Sequence, residues 1–217
     1  MHVSDAVIAR RSIRQFTDEP VDDATIAELL ARAARAPSGG NLQPWRIYVV
    51  NGPALERFRS VVADAEMGQG EYQIYPPDLW EPHRTNRYRN GEQLYATIGI
   101  SRDDKAAQLH QFARNREFFG APAALFCFVD RRLGPPQWSD LGMFLQTFML
   151  LAQEAGVDTC AQEYWSVMHD TVRAFVGAPD DELLFCGMAI GHADPEAPVN
   201  TLVTERMPAD EWVTFVG

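Results

Sequence analysis

The feature that most restricts the fold is a long helical segment, residues 139–155, that is apolar almost all the way round. One side carries Leu141, Phe144, Leu145, Phe148, Met149 and Ala152, and the opposite side carries Met143, Leu150 and Leu151. A helix with apolar side chains on both sides has little surface suited to water, so other elements have to cover it. We therefore expect a central helix or a helix at a subunit interface.

Strands and helices alternate along the chain, but the helices differ greatly in length. Apolar, β-compatible runs predict strands at 46–50, 123–129, 157–162 and 182–190. Helical spacing and helix-start residues predict helices at 3–10, 22–35, 53–67, 92–100, 102–116 and 168–176, with a long loop at 68–82. This unequal alternation favours an α+β fold over a regular doubly wound sheet. The 217 residues contain no internal repeat and fit a single domain, 1–217.

The chain is acidic, with a net charge of −11 from 30 acidic and 19 basic residues. An acidic surface repels nucleic-acid phosphates, which argues against a nucleic-acid partner. No apolar run approaches the roughly 18 residues that cross a bilayer, and the charged N-terminus lacks an apolar signal core, so we expect a cytoplasmic protein without a membrane partner. The three cysteines are widely spaced in apolar surroundings, which predicts buried free thiols rather than disulfides or a zinc site.

Against this acidic background, residues 10–14 read Arg-Arg-Ser-Ile-Arg. A planar guanidinium can hold a phosphate through two parallel hydrogen bonds, so the cluster is suited to an anion. The same residues also fit a solvated basic patch whose surface ion pairs contribute little. On this segment alone, both interpretations stay open.

A second cluster lies in the turn at 36–45, Ala-Pro-Ser-Gly-Gly-Asn-Leu-Gln-Pro-Trp. Prolines fix this chain segment, glycines let the backbone approach a ligand, and Ser38, Asn41 and Gln43 supply polar side chains. An ordinary proline–glycine turn is the alternative. Further on, a glycine closes the last predicted strand and Arg206 follows it, while His192 is better explained as a structural turn residue than as a base.

In this order and at these separations, the clusters resemble those of the nitroreductase-type FMN flavoproteins. That family has an Arg-x-Ser-x-Arg segment near its start, a later Pro-Ser-x-x-Asn-x-Gln-Pro-Trp segment, and a late basic residue after a glycine-containing strand end. The resemblance is weakest over 68–114, which looks like an inserted lid or cap segment. It implies a three-layer sandwich with a mainly antiparallel central sheet, a homodimer with two interface sites, and a C-terminal tail that embraces the partner. The apolar residues of the tail, 195–217, agree with such a tail.

The resemblance also implies which residues bind FMN. The phosphate would be held by Arg10, Ser12 and Arg206, with Arg11 in support. Arg14 would lie near the N1–C2=O edge of the flavin. The residues reaching the FMN of the other subunit would be Pro37, Ser38, Gly39 and Asn41. Those lying against the flavin ring would be Asn115, Gln162 and Glu163.

The implied activity is reduction of nitroaromatic or similar electron-poor compounds by NAD(P)H in a ping-pong cycle. The flavin N5 would carry the chemistry, without a catalytic side chain or metal. A reductive dehalogenase or enone reductase of the same family stays open as an alternative. So do a non-catalytic FMN-binding module and a flavin-free structural dimer.

Aromatic residues in and just after the insertion are expected to cover the flavin and stack on a small aromatic substrate. We single out Trp80, Phe118 and Phe119, and the alternative is that they fill a satellite core. Arg84, with its neighbours His83 and Arg87, could select a carboxylated substrate such as a nitrobenzoate or bind the phosphate of NADPH. Surface salt bridges are the alternative for these cations.

Overall fold

The computed structural model describes residues 1–217 and has a four-stranded antiparallel sheet at its centre. Its strands are β1 (Arg46–Asn51), β2 (Ala123–Asp130), β3 (Asp158–Gln162) and β4 (Glu182–Gly191). They lie in the order β1-β2-β4-β3, so β1 and β3 form the two edges. The central strands β2 and β4 are buried along nearly their whole length, which explains why both read as continuous apolar runs.

Seven α-helices accompany the sheet. They are α1 (Val3–Ala9), α2 (Asp23–Ala33), α3 (Pro53–Ala63), α4 (His83–Thr97), α5 (Lys105–Ala113), α6 (Pro135–Glu154) and α7 (His169–Val176). Residues of α2 and α6 pack on one face of the sheet, and residues of α3, α7 and the turns at 114–120 and 163–168 pack on the other. The expected three-layer α+β sandwich is confirmed. None of the helices is long and apolar enough to cross a membrane.

The central helix α6 packs on the sheet through Leu141, Phe144 and Phe148, all of which are buried. Its opposite side is covered only in part, because the Met143 side chain is exposed. The helix begins about one turn before the apolar pattern does, since Pro135 suits the first helical turn and needs no partner for an N–H. One side of α6 is therefore core, and the other is left for a further element or subunit.

The predictions fail most clearly between α3 and β2. Helix α4 begins at His83 rather than at residue 92, and none of its residues is buried, so no apolar periodicity marks its first half. The helix predicted at 102–116 is α5 followed by a tight turn at 114–120, in which Phe118 and Phe119 both have positive φ. Left-handed backbone is costly for side chains other than glycine, and aromatic residues give no sequence signal for it.

The start of the insertion is bound to the sheet by Glu71. Its buried carboxylate accepts hydrogen bonds from Arg131, from Arg173 and, at 2.9 Å, from the N–H of Leu184. Burial by itself raises the pKa of Glu71, but the bonds from Leu184, Arg131 and Arg173 outweigh it and lower the pKa below its usual 4.5. The neighbouring Tyr72 hydroxyl donates to the Phe185 carbonyl, so two consecutive residues attach the loop to β4.

We predict that Glu71→Gln lowers the free energy of unfolding by about 3 kcal/mol at neutral pH, because it leaves two arginines without their shared carboxylate. The folded-state pKa lies below that of the unfolded chain, so the carboxylate stabilises the fold above pH 4.5 and loses this effect as pH falls through the folded-state pKa. Urea unfolding of Glu71→Gln and of the unchanged protein across this pH range measures the difference in their free energies of unfolding, which should become smaller in acid. Glu66→Gln, at an exposed glutamate nearby, is the control. Equal stability of Glu71→Gln and the unchanged protein at neutral pH would show that the cluster does not hold the loop.

Candidate functional site

The N-terminal basic segment lies along the edge strand β3. The N–H of Ile13 donates to the carbonyl of Thr159 at 3.0 Å, and Ser12 forms a parallel bridge with Thr159. Ile13 is buried in the core, which fixes the segment at this edge. The thiol of Cys160 lies beneath it: burial raises the pKa of Cys160, while Arg14, Arg10 and a hydrogen bond with Ser12 act in the opposite direction.

A further cation, Arg206, joins the three arginines of this segment from the C-terminal tail. Partial burial lowers the pKa of Arg10 most, and the proximity of Arg206 lowers it further. No carboxylate lies within ion-pair distance of either arginine, and Arg206 donates only to its neighbours Thr204 and Glu205. Two like charges held together without a counter-ion favour binding of an anion between them. With the Ser12 hydroxyl, this set of donors fits a phosphate monoester such as that of FMN.

The two chain ends are joined by Asn200, a buried residue that the sequence reasoning missed. Its Oδ1 accepts from the N–H of Arg14 at 2.9 Å, and its Nδ2 donates to the carbonyls of Gln15 at 2.7 Å and Asp194 at 3.0 Å. Its own carbonyl accepts from Arg11 at 3.2 Å. No motif marks this asparagine, because three of its four partners belong to residues 11–15, nearly the whole chain away.

A third group of residues meets the same segment from the turn at 114–120. Arg114, also missed by the sequence reasoning, donates to the carbonyls of Arg14 at 3.2 Å and Phe119 at 3.3 Å. Beside it, the buried Gln162 donates through Nε2 to Oδ1 and to the carbonyl of Asn115, each at 3.0 Å. Its Oε1 accepts from Trp165 at 3.3 Å. The Gln162 amide is thus committed to positioning Asn115.

Glu163 follows at the surface, just beyond the end of β3. Its side chain is exposed and forms no ion pair. Desolvation by its neighbours nevertheless raises the pKa of its carboxyl. Glu163 therefore lies at the surface next to Gln162, at the border of the cluster around Asn115.

The turn containing Pro37, Ser38, Gly39 and Asn41 lies at the other edge of the sheet. It leads into β1, whereas the basic segment lies beside β3, so three strand spacings of about 14 Å in all separate the two edges. The turn is held by its own residues and by α6: the Ser38 hydroxyl accepts from the N–H of Gln43 at 3.0 Å, and the buried Asp140 of α6 accepts from the N–H of Gly39 at 3.2 Å. The side chain of Asn41 is exposed. Within one chain the structure does not bring this turn to the basic segment.

Phe118 and Phe119 are core residues, which corrects the expectation that they stack on a substrate. Phe118 is fully buried, and its ring stacks on Trp165 with the centroids 4.5 Å apart. Phe119 is buried in the same cluster, so neither ring is accessible to a ligand. The positive φ of both residues turns their side chains inwards, which no helical pattern could indicate.

Trp80 and Arg84 lie instead on a cleft of about 1240 Å³ that is formed by residues of the insertion. Trp80 is 60% exposed, so its ring is available for stacking. Arg84 is paired with Glu81 at 2.7 Å, which satisfies its charge. The structure thus keeps the expectation for Trp80 open and supports the surface salt bridge for Arg84.

Comparison with known proteins places this arrangement in a family. The model of the Nitroreductase family matches residues 7–192. The chain is 37% identical to the nitrobenzene nitroreductase of Ectopseudomonas oleovorans, over 99% of this chain and 96% of that protein. It is 36% identical to the chloronitrobenzene nitroreductase of Comamonas testosteroni, over 99% and 96% of the two chains.

A solved structure agrees over the whole length. The FMN and NADPH-dependent nitroreductase NfnB from Sphigopyxis sp. strain HMH superposes with a TM-score of 0.96 at 48% identity, covering 100% of both chains. The sheet, the paired cations and the sequence similarity agree, and this chain belongs to the nitroreductase family.

Proposed function

We propose that this protein is an FMN-dependent oxidoreductase that uses NAD(P)H to reduce nitroaromatic or similar electron-poor compounds. The observation that carries the proposal is that Arg206 lies close enough to Arg10 to lower its pKa, and that neither arginine is paired with a carboxylate in a chain of net charge −11. Its relatives named above are nitroreductases, and one of them is FMN and NADPH-dependent. When bound, FMN supplies hydride transfer between the nicotinamide and the acceptor, and the protein supplies binding and orientation.

Different residues of this chain bind the phosphate and the flavin ring. Arg10, Ser12 and Arg206 bind the phosphate, while Arg11, which donates to Asn200, supports the segment from behind. The Arg14 guanidinium donates only to the Ser12 carbonyl at 3.3 Å, so further N–H groups are available to the flavin ring edge. Asn115 is held by Gln162 and contacts the ring through the part of its amide left free.

The site is completed by a second copy of the chain. A turn that lies at the far edge of its own sheet can supply Ser38, Gly39 and Asn41 only to the site of another subunit. Exposed apolar side chains also need a cover: Val7 and Ile8 on α1, Met143 on α6, and several in the tail. We therefore propose a cytoplasmic homodimer whose tail embraces the partner. Each protomer is one FMN-binding domain, 1–217, with residues 68–114 as its cap.

The direct test is the absorbance spectrum of the purified protein, followed by anaerobic addition of NADH or NADPH and then of nitroarenes. We expect a yellow protein whose band at about 450 nm is bleached by a nicotinamide and recovers with a nitroarene. A flavin band that no nicotinamide bleaches would indicate a non-catalytic FMN-binding module. A colourless protein that takes up no added FMN would refute the proposal.

Removing either cation should weaken FMN binding. We predict that Arg10→Ala and Arg206→Ala each lower the affinity by about 1.5–3 kcal/mol, which corresponds to roughly ten- to hundredfold in Kd, because each removes a charge-assisted hydrogen bond to the phosphate. Fluorescence titration of the apoprotein with FMN measures the change. Arg57→Ala, at an exposed arginine of α3, is the matched control and should bind FMN normally. Unchanged affinity in both test variants would remove the phosphate assignment.

The contribution of the partner's turn can be tested by complementation. We predict that Arg10→Ala and Asn41→Ala homodimers both bind FMN weakly, whereas a heterodimer purified through two different tags recovers one tight site. In that heterodimer one site carries both changes, and the other combines an unchanged Arg10 with an unchanged Asn41 from the other chain. If both residues served the site of their own chain, every site would carry one change and no tight site would return.

A further inference from the structure

Trp165 is a core residue whose indole N–H is hydrogen-bonded to a polar side chain next to the candidate flavin site. The residue is fully buried, and its ring stacks on Phe118 with the centroids 4.5 Å apart. Strand β4 has a glycine opposite the ring, Gly187, where a Cβ atom would clash with the indole. This close packing fixes the ring and, with it, the direction of the N–H toward Gln162.

The indole N–H decides which way the Gln162 amide points. An indole nitrogen can only donate, so the amide atom that faces it at 3.3 Å has to be the oxygen Oε1. The Nε2 atom then lies on the other side, where it donates to the carbonyl and to Oδ1 of Asn115, each at 3.0 Å. Gln162 is buried, so an inverted amide would hold two donors against each other without water between them.

The Asn115 amide is fixed in the same way. Its Oδ1 faces the donating Nε2 of Gln162, and its Nδ2 donates to the carbonyl of Phe112 at 2.8 Å. An inverted Asn115 amide would place nitrogen against nitrogen at Gln162 and oxygen against oxygen at Phe112. Because an amide nitrogen carries two N–H groups, one N–H of Asn115 stays free in the fixed orientation. The half-buried Asn115 therefore presents a donor whose position is set from the core.

We propose that Trp165 is a positioning residue that acts through Gln162, makes Asn115 present an N–H donor to the flavin ring, and so favours the reduced cofactor. The place of Asn115 against the ring is taken from the proposed function, and in that sense the inference rests on it. A flavin ring gains electron density on reduction, so a fixed donor stabilises the reduced form more than the oxidised form. Trp165 is itself fully buried and acts only through its neighbours.

The experiment measures the equilibrium ratio of reduced to oxidised flavin in the FMN-loaded protein, by anaerobic reduction beside a reference dye of known potential. Neither a nicotinamide nor a nitroarene is needed. Trp165→Phe keeps an aromatic ring but loses the N–H. We expect it to lower the ratio about tenfold at a given potential, because both amides become free to invert and the donor to the ring is lost.

Further variants separate positioning from packing. Gln162→Met has a side chain of similar length without an amide, so it should lower the ratio at least as much, and it serves as the test if Trp165→Phe does not fold. Phe126→Leu is the matched control, because Phe126 packs against Trp165 with the centroids 5.5 Å apart and forms no side-chain hydrogen bond. It should lower stability and leave the ratio unchanged. In an Asn115→Ala protein, Trp165→Phe should have no further effect on the ratio.

The outcomes distinguish the inference from the proposed function. An unchanged ratio in Gln162→Met, or an effect of Trp165→Phe that is equal with and without the Asn115 amide, would overturn the positioning role. If the same protein still reduced nitroarenes, the proposed function would stand. A protein that took up no FMN would refute both, whereas a shifted ratio in a protein that reduces no nitroarene would support the positioning role alone.

Discussion

The structure depends on how its two chain ends close on the edge strand β3. The N–H of Ile13 adds the N-terminal segment to β3, and Asn200 binds that segment to the tail through its amide and its carbonyl. These are mostly bonds to backbone groups, which makes them independent of the charge they bring together. Without these bonds, electrostatic repulsion would separate the three arginines of the N-terminal segment from Arg206 of the tail.

This closure explains how an acidic protein can carry a concentrated positive site. Arg10 is half-buried beside the exposed Arg206, so the Arg10 guanidinium has given up part of its water without gaining a carboxylate. Such an arrangement is unfavourable in the free protein and becomes favourable when a dianionic phosphate lies between the cations. The stability of the fold, supplied by a core of aromatic and aliphatic residues on both faces of the sheet, offsets that local penalty.

The insertion is attached to the sheet by side-chain hydrogen bonds at its start, and it buries far fewer residues than the core does. Glu71 and Tyr72 bind its first residues to β4, and beyond them α4 and α5 bury no side chain. Segments with few buried contacts open more easily than the core does, which suits a cap that has to admit and release ligands. The two consecutive left-handed residues, Phe118 and Phe119, end this region and return the chain to the core.

The sequence by itself determined the strands, the central helix, the family resemblance and the cations of the site, because strand burial, helical spacing and charged motifs are local patterns. It did not determine the course of α4, which lacks a buried face, or the inward turn of Phe118 and Phe119, which depends on backbone angles that aromatic residues rarely adopt. Only the tertiary structure decided that Asn200 and Arg114 support the basic segment and that Gln162 is committed to Asn115. It also decided that the turn at Asn41 lies at the opposite edge of the sheet. Each of these follows from contacts between residues far apart in the chain, and such contacts leave no periodicity in the sequence.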